Sequence, residues 1–266
     1  MAADERKLEV AGSHVIVCPD AEAASRLVAD RIVAVIDAAK SGHNKAVLGL
    51  ATGATPEAVY DELVARHRAG SLSFQKVVTY NLDEYYPIQP LDPLSYRYYM
   101  HQRLFSQVDI PANQTHLLDG TVPAASVAEH AAQFDRWIEA DGGLDLQLLG
   151  IGRNGHIGFN EPSDLSVDEA INLTTRQVEL HPVTTTDAVR EFGSSEKVIT
   201  QAITVGIKTI LAARVILMLA TGPRKAEIVA QSLKGPITPA VPASLLRTVA
   251  EKVVWILDEP AAAELG

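Results

Sequence analysis

Ala46-Val47-Leu48-Gly49-Leu50-Ala51 runs straight into Thr52-Gly53-Ala54-Thr55-Pro56. Six small or apolar residues with no polar alternation fit a strand buried on both faces, and Pro56 can open a helix at its first position. Comparable runs occur at His14 to Val17, Lys76 to Tyr80, Leu144 to Gly150, Val215 to Ala220 and Lys252 to Leu257. Amphipathic segments lie between them; the clearest places Ala24, Leu27, Val28, Ile32, Val35 and Ile36 at helical spacing after a capping Asp20. Strands alternating with helices predict an α/β fold in three layers, a mainly parallel sheet joined by right-handed crossovers with helices on both faces. Ligands of such sheets bind beyond the carboxyl ends of the strands, so the loops there are where chemistry is expected.

The rest of the composition narrows the class. Of 266 residues, 47% are hydrophobic and 21% charged, the balance of a folded chain. No repeat, low-complexity tract or Pro/Ser-rich linker divides it, so residues 1–266 are expected to form a single domain. A formal charge of −10 with no block of five basic residues argues against nucleic acid as a partner. The start, MAADERKLEV, lacks the basic end and apolar run of a signal peptide, and Val215 to Ala220 is too short to span a bilayer. The expectation is a cytoplasmic protein with no membrane contact. Cys18, the only cysteine, excludes an internal disulfide and any multi-cysteine metal site, and reads as a small buried group on a strand.

Four loops carry polar chemistry. Thr52, Gly53, Ala54 and Thr55 could cradle a phosphate with hydroxyls and free amides at the helix start, although these residues alone fit a threonine-capped turn equally well. Asn81-Leu82-Asp83-Glu84-Tyr85 puts two adjacent carboxylates at the end of the Lys76 to Tyr80 strand. Successive side chains diverge, so one can face a cleft while the other braces the loop; a solvated acidic turn is the alternative. Gly150-Ile151-Gly152-Arg153-Asn154-Gly155-His156-Ile157-Gly158-Phe159-Asn160-Glu161-Pro162 holds four glycines in nine residues, the mark of a backbone that turns sharply or closes on a ligand. His156 in it can move a proton near neutral pH, and a nearby carboxylate can fix its tautomer. Arg190, in the polar stretch Leu180 to Ser195, and Lys225, after Thr221-Gly222-Pro223, are candidate phosphate ligands. The weak apolar patterning of Leu180 to Ser195 suggests a flap.

Together the blocks LATGATP from Leu50, NLDEY from Asn81, the Ser95-Tyr96 pair, GIGRNGHIGFNEP from Gly150 and TGPRKA from Thr221 resemble the glucosamine-6-phosphate deaminase (isomerase) family, from the first strand to Asp258-Glu259. The resemblance implies a Rossmann-like sheet, a mobile lid around residues 176–205 and the conversion of an amino-sugar phosphate, glucosamine 6-phosphate, to fructose 6-phosphate and ammonia without metal or organic cofactor. Carried over by position, Asp83 moves the proton between C2 and C1, His156 serves ring opening, and Glu161 orients it. Asn154 stands where the family's relay often has aspartate, keeping the hydrogen bonding without the charge. Thr52 to Thr55, Arg190 and Lys225 hold the phosphate, with Glu84 and Gly155 in support. Some members are hexamers activated at a second site and others monomers, so the resemblance leaves a homo-oligomer open. Arg176 matches a cation of that second site, whereas Val178 replaces a lysine.

Three other readings share these loops. A galactosamine-6-phosphate deaminase differs in one hydroxyl of its substrate, and Asp92 to Tyr98 favours the glucosamine members by resemblance. A 6-phosphogluconolactonase has a similar glycine-histidine loop, but Phe159-Asn160-Glu161-Pro162 and Asp83-Glu84-Tyr85 point to the deaminases. A non-catalytic sugar-phosphate sensor would need a DNA-binding module, for which there is neither length nor basic surface.

Overall fold

A computed structural model describes residues 5–41, 45–192 and 198–266, with the side chains of residues 40, 41 and 190–192 outside the description. Its strands are β1 (Arg6–Val10), β2 (Ser13–Cys18), β3 (Ala46–Leu50), β4 (Val77–Asn81), β5 (Asp83–Tyr86), β6 (Thr115–His116), β7 (Leu146–Leu149), β8 (Arg176–Glu179), β9 (Gln201–Thr204), β10 (Val215–Ala220) and β11 (Val253–Asp258). The α-helices are α1 (Ala21–Ser41), α2 (Glu57–Arg68), α3 (Tyr96–Arg103), α4 (Val127–Ala140), α5 (Val167–Ile171), α6 (Pro182–Phe192), α7 (Ile207–Ala212) and α8 (Ala226–Lys234).

Eight strands form one sheet in the order β1-β2-β11-β10-β7-β3-β4-β6. All pairings are parallel except that of β1 with β2 at the edge. All six of the apolar runs form strands of this sheet, and every residue of β3 and β4 is buried, as a central parallel sheet requires. Helix α1 starts where Asp20 caps it: its Oδ1 accepts a hydrogen bond from Ala23 N at 2.7 Å. Its Val28, Ile32 and Ile36 are wholly buried in the main core beside Trp255 of β11.

A second sheet was not legible. β5, β9 and β8 pair antiparallel in that order, β5 with β9 joining residues as distant as Asp83 and Thr204. Tyr85, Ile88, Phe159, Leu180, Ala188 and Ala202 form a separate small core that holds α6 against this sheet. The stretch expected to be a flap thus contains a helix with its own apolar anchor. No described helix is long and apolar enough to cross a membrane.

Candidate active site

The chain passes from β3 outward to β4 and β6, then returns to place β7 on the other side of β3. Strand order therefore reverses between β3 and β7, where α/β sheets open a crevice at their carboxyl ends. A cleft of about 450 Å³ lies there, lined by the loops that follow β3, β4, β7 and β10 and by the inner face of α6. Four separate loops meet because four neighbouring strands end side by side.

Asp83 and Glu84 diverge, as consecutive residues of a strand must. Asp83 lines the cleft although its residue surface is only 5% exposed. Burial pushes its carboxyl up to about 8, and the charge of Glu84 adds to the shift. A Cβ on Gly158 would lie 3.3 Å from Asp83 Oδ2, so the carboxyl rests against the loop that carries His156.

Glu84 points away into the start of α3. Its carboxylate accepts hydrogen bonds from Tyr85 N at 2.9 Å, Ser95 Oγ at 2.7 Å, Tyr96 N at 2.9 Å and Arg97 N at 3.0 Å. A buried carboxylate is thereby satisfied by the free amides of a helix N-terminus, which ties β5 to α3. Burial raises its pKa, and these bonds oppose the rise.

The loop after β7 folds His156 back over its own start. A Cβ on Gly152 would come within 2.2 Å of His156 Cε1, so the imidazole occupies the space of a side chain there. Gly155 has φ +84°, and a Cβ on it would meet Val241 Cγ1 at 2.9 Å; its carbonyl accepts a hydrogen bond from Ala243 N at 2.8 Å. His156 Nδ1 faces Glu161 Oε2 at 3.3 Å and Thr184 Oγ1 at 3.2 Å. When the imidazole carries a single proton, on Nδ1 beside the carboxylate, Nε2 is the free base.

Asn154 serves both partners. Its Nδ2 donates to Glu161 Oε2 at 2.8 Å, and its Oδ1 accepts a hydrogen bond from His156 N at 3.2 Å. Burial favours a protonated Glu161, but the hydrogen bond and charge of His156, with bonds from Thr184 and Asn154, outweigh it and bring the carboxyl down to about 2. Glu161 is therefore an anion at any working pH.

Positive groups close the other end of the cleft. Lys225 donates from Nζ to Ile151 O at 2.6 Å, and Arg224 lines the cleft beside it. Burial lowers the Lys225 pKa; Asp187 opposes the shift, while Arg224 and Arg153 add to it. Thr52, Gly53, Ala54 and Thr55 form the facing wall. Arg153 reaches across to α6, with Nε 2.9 Å from Asp187 Oδ2. Arg190 belongs to α6, and its side chain lies outside the described residues.

Asp83, His156, Lys225 and Thr52 to Thr55 thus share one cavity. Glu161, Asn154, Glu84 and Gly155 stand behind it as supports rather than as lining. Sequence reasoning missed Thr184, Arg153, Asp187 and Arg224, together with the wall formed by Tyr85, Tyr96 and Phe159, whose Tyr96 and Phe159 rings stack 5.9 Å apart. Arg224 had a signal, since it shares a strand-to-helix turn with Lys225. Thr184 had none, because α6 reaches the site only through tertiary packing. Among the described residues no three His, Cys, Asp or Glu side chains are grouped to hold a metal.

Residues 19–255 match the family model for glucosamine-6-phosphate isomerases/6-phosphogluconolactonase. A glucosamine-6-phosphate deaminase of Rhodopirellula baltica is 45% identical over 252 residues, covering 95% of this chain and 96% of the relative. Its counterpart in Cellvibrio japonicus is 42% identical over 254 residues, with coverage of 95% and 91%. The solved structure of a monomeric glucosamine-6-phosphate deaminase superposes with a TM-score of 0.87 at 37% identity, covering 94% of this chain and 99% of the other. A 6-phosphogluconolactonase from Trypanosoma brucei, with a TM-score of 0.76 over 95% of this chain and 98% of its own, is 20% identical and shares the fold.

Proposed function

Because the chain belongs to the family of glucosamine-6-phosphate isomerases and 6-phosphogluconolactonases, we propose that it is the deaminating kind of member, converting glucosamine 6-phosphate and water to fructose 6-phosphate and ammonia. The observation that carries this reading is the meeting of a buried carboxyl, Asp83, with the His156–Glu161 pair in a cleft whose far end is cationic.

The division of labour follows from what each group can do. His156 Nε2 takes the proton of the C1 hydroxyl and delivers one to the ring oxygen, opening the pyranose to an aldehyde. Glu161, ionised throughout, stabilises the transient imidazolium. Asp83 then removes the C2 proton while a proton passes from the substrate ammonium to the aldehyde oxygen, leaving an enolamine, and Asp83 delivers its proton to C1. The resulting C2 iminium adds water and expels ammonia, giving the ketose. The shifted pKa of Asp83 suits a base working near neutrality, and a substrate ammonium beside it favours the ionised form.

The phosphate takes no part in bond breaking. Held by Lys225, Arg190 and the Thr52 to Thr55 loop, it contributes remote binding of about 1.5–3 kcal/mol for each charge-assisted hydrogen bond. That binding sets C1 and C2 between the two acid–base groups. Residues around 176–205, of which 193–197 lie outside the described residues, are on this reading the segment that closes over the substrate. All these groups belong to one chain, and a water-soluble phosphate needs no membrane, so we place the activity in the cytoplasm.

A coupled assay for ammonia and fructose 6-phosphate tests the proposal. Turnover of glucosamine 6-phosphate well above that of galactosamine 6-phosphate is expected. Hydrolysis of 6-phosphogluconolactone without ammonia release from the amino sugar would overturn it.

A further inference from the structure

We propose that Thr184 is a positioning residue for His156: its hydroxyl completes a three-way set with the imidazole and Glu161, and so ties the plane of the ring to the first turn of α6. The inference rests on the reading of His156 as the ring-opening acid–base group.

Donors and acceptors decide how the set is wired. His156 Nδ1 carries one proton and has two oxygens within reach, Glu161 Oε2 at 3.3 Å and Thr184 Oγ1 at 3.2 Å. A carboxylate only accepts, whereas a hydroxyl both accepts and donates. With Nδ1–H shared between Glu161 Oε2 and Thr184 Oγ1, and that hydroxyl donating to Glu161, every proton in the set has an acceptor; the hydrogen bonds of both His156 and Thr184 contribute to holding Glu161 ionised. The hydroxyl sits on a buried residue, so water does not readily replace it.

Asn154 does not hold the ring in this way. It commits its amide to Glu161 and its carbonyl to the backbone of His156, leaving Nδ1 of the imidazole to Glu161 and Thr184. Glu161 comes from the same loop as His156 and moves with it. Thr184 comes from a different element, and a ring pinned from two directions cannot swing about its Cβ–Cγ bond. The entry to α6 is fixed as well, because His181 N donates to Glu161 Oε1 at 3.3 Å, and Leu180 and Ala188 pack in the small core. A shift of the first turn of α6 is therefore transmitted to Nε2 on the opposite side of the ring, where the sugar proton is handled.

The test compares Thr184→Val, of nearly the same shape, with Thr184→Ser, which keeps the hydroxyl. In the Val variant kcat on glucosamine 6-phosphate should fall about 10- to 100-fold, the weight of one hydrogen bond to a charged group. KM and competitive inhibition by inorganic phosphate should stay unchanged, and the Ser variant should recover most of the rate. The Nδ1–H resonance of His156 in proton NMR should move in Thr184→Val and return in Thr184→Ser. Thr184→Ala, with no branched group to misfit, replaces the Val variant if that one does not fold. Wild-type kcat in a folded Val or Ala variant, equal losses in Ser and Val, or a change confined to KM would overturn the inference. The resonance is read without turnover, so failure of the deaminase reading and failure of this one remain distinguishable.

Discussion

The ring of His156 lies where a side chain on Gly152 would begin, 2.2 Å from the Cβ position at its nearest atom. The loop after β7 can return its histidine to the cleft only because residue 152 contributes nothing but backbone. Gly152→Ala should displace the imidazole while sparing the core, since the obstacle is the end of a rotatable side chain. We expect kcat to fall by about 10²-fold or more, the usual size of a general acid–base contribution. Thermal unfolding should shift by only a few degrees; a matching collapse of Tm would assign the residue to folding instead.

Asp83→Asn should lower kcat by about 10²- to 10⁴-fold with little change in KM, as expected for removing a base that does not hold the ground state. In the wild type, kcat/KM should rise with pH to a limb near about 8, because the base acts only when ionised. Loss of that limb in the variant is the accompanying readout of a pH–rate series.

The same carboxyl makes stability depend on pH. Its pKa is about 8 when folded against 3.8 ordinarily, so the folded chain binds the proton more tightly. Its contribution is complete below pH 3.8 and is lost as pH rises to about 8. The slope is at most about 1.4 kcal/mol per pH unit. Asp83→Asn should therefore gain on the wild type in urea unfolding as the pH is raised from mildly acidic toward about 8. A constant difference across that range would contradict burial as the cause of the shift.

Arg190→Ala and Lys225→Met should mainly raise KM, by about 10-fold or more for each charge-assisted hydrogen bond removed, with kcat better preserved. The opposite pattern, with the binding variants losing kcat and Asp83→Asn losing affinity, would reverse the roles. Steady-state kinetics over a wide substrate range decides between them.

What the sequence disclosed follows from where its signals are local. Ala46 to Leu50 and Val215 to Ala220 are apolar along their whole length because parallel strands here are covered on both faces, and such runs stand out in a linear reading. Asp20 and the stripe from Ala24 to Ile36 announce a helix within one turn. Asp83, His156 and Lys225 were findable since each follows such a strand. The β5-β9-β8 sheet was not: Asp83 pairs with Thr204 and Arg176 with the same residue, pairings far apart in sequence between short, mixed segments. Thr184 and Asp187 were hidden for the same reason, for they approach the site only after α6 has docked on that sheet.

Under the proposed function, the Arg153–Asp187 ion pair would give substrate capture the character of an exchange. An incoming phosphate finds one of the cleft's guanidinium groups already neutralised by a carboxylate on α6, in a pair whose side chains are about half exposed. Such a pair is weak, so giving it up costs little. A phosphate dianion that displaced Asp187 would also meet Lys225 and Arg224, which line the same cleft. On that reading the cleft would sort ligands by valence before shape.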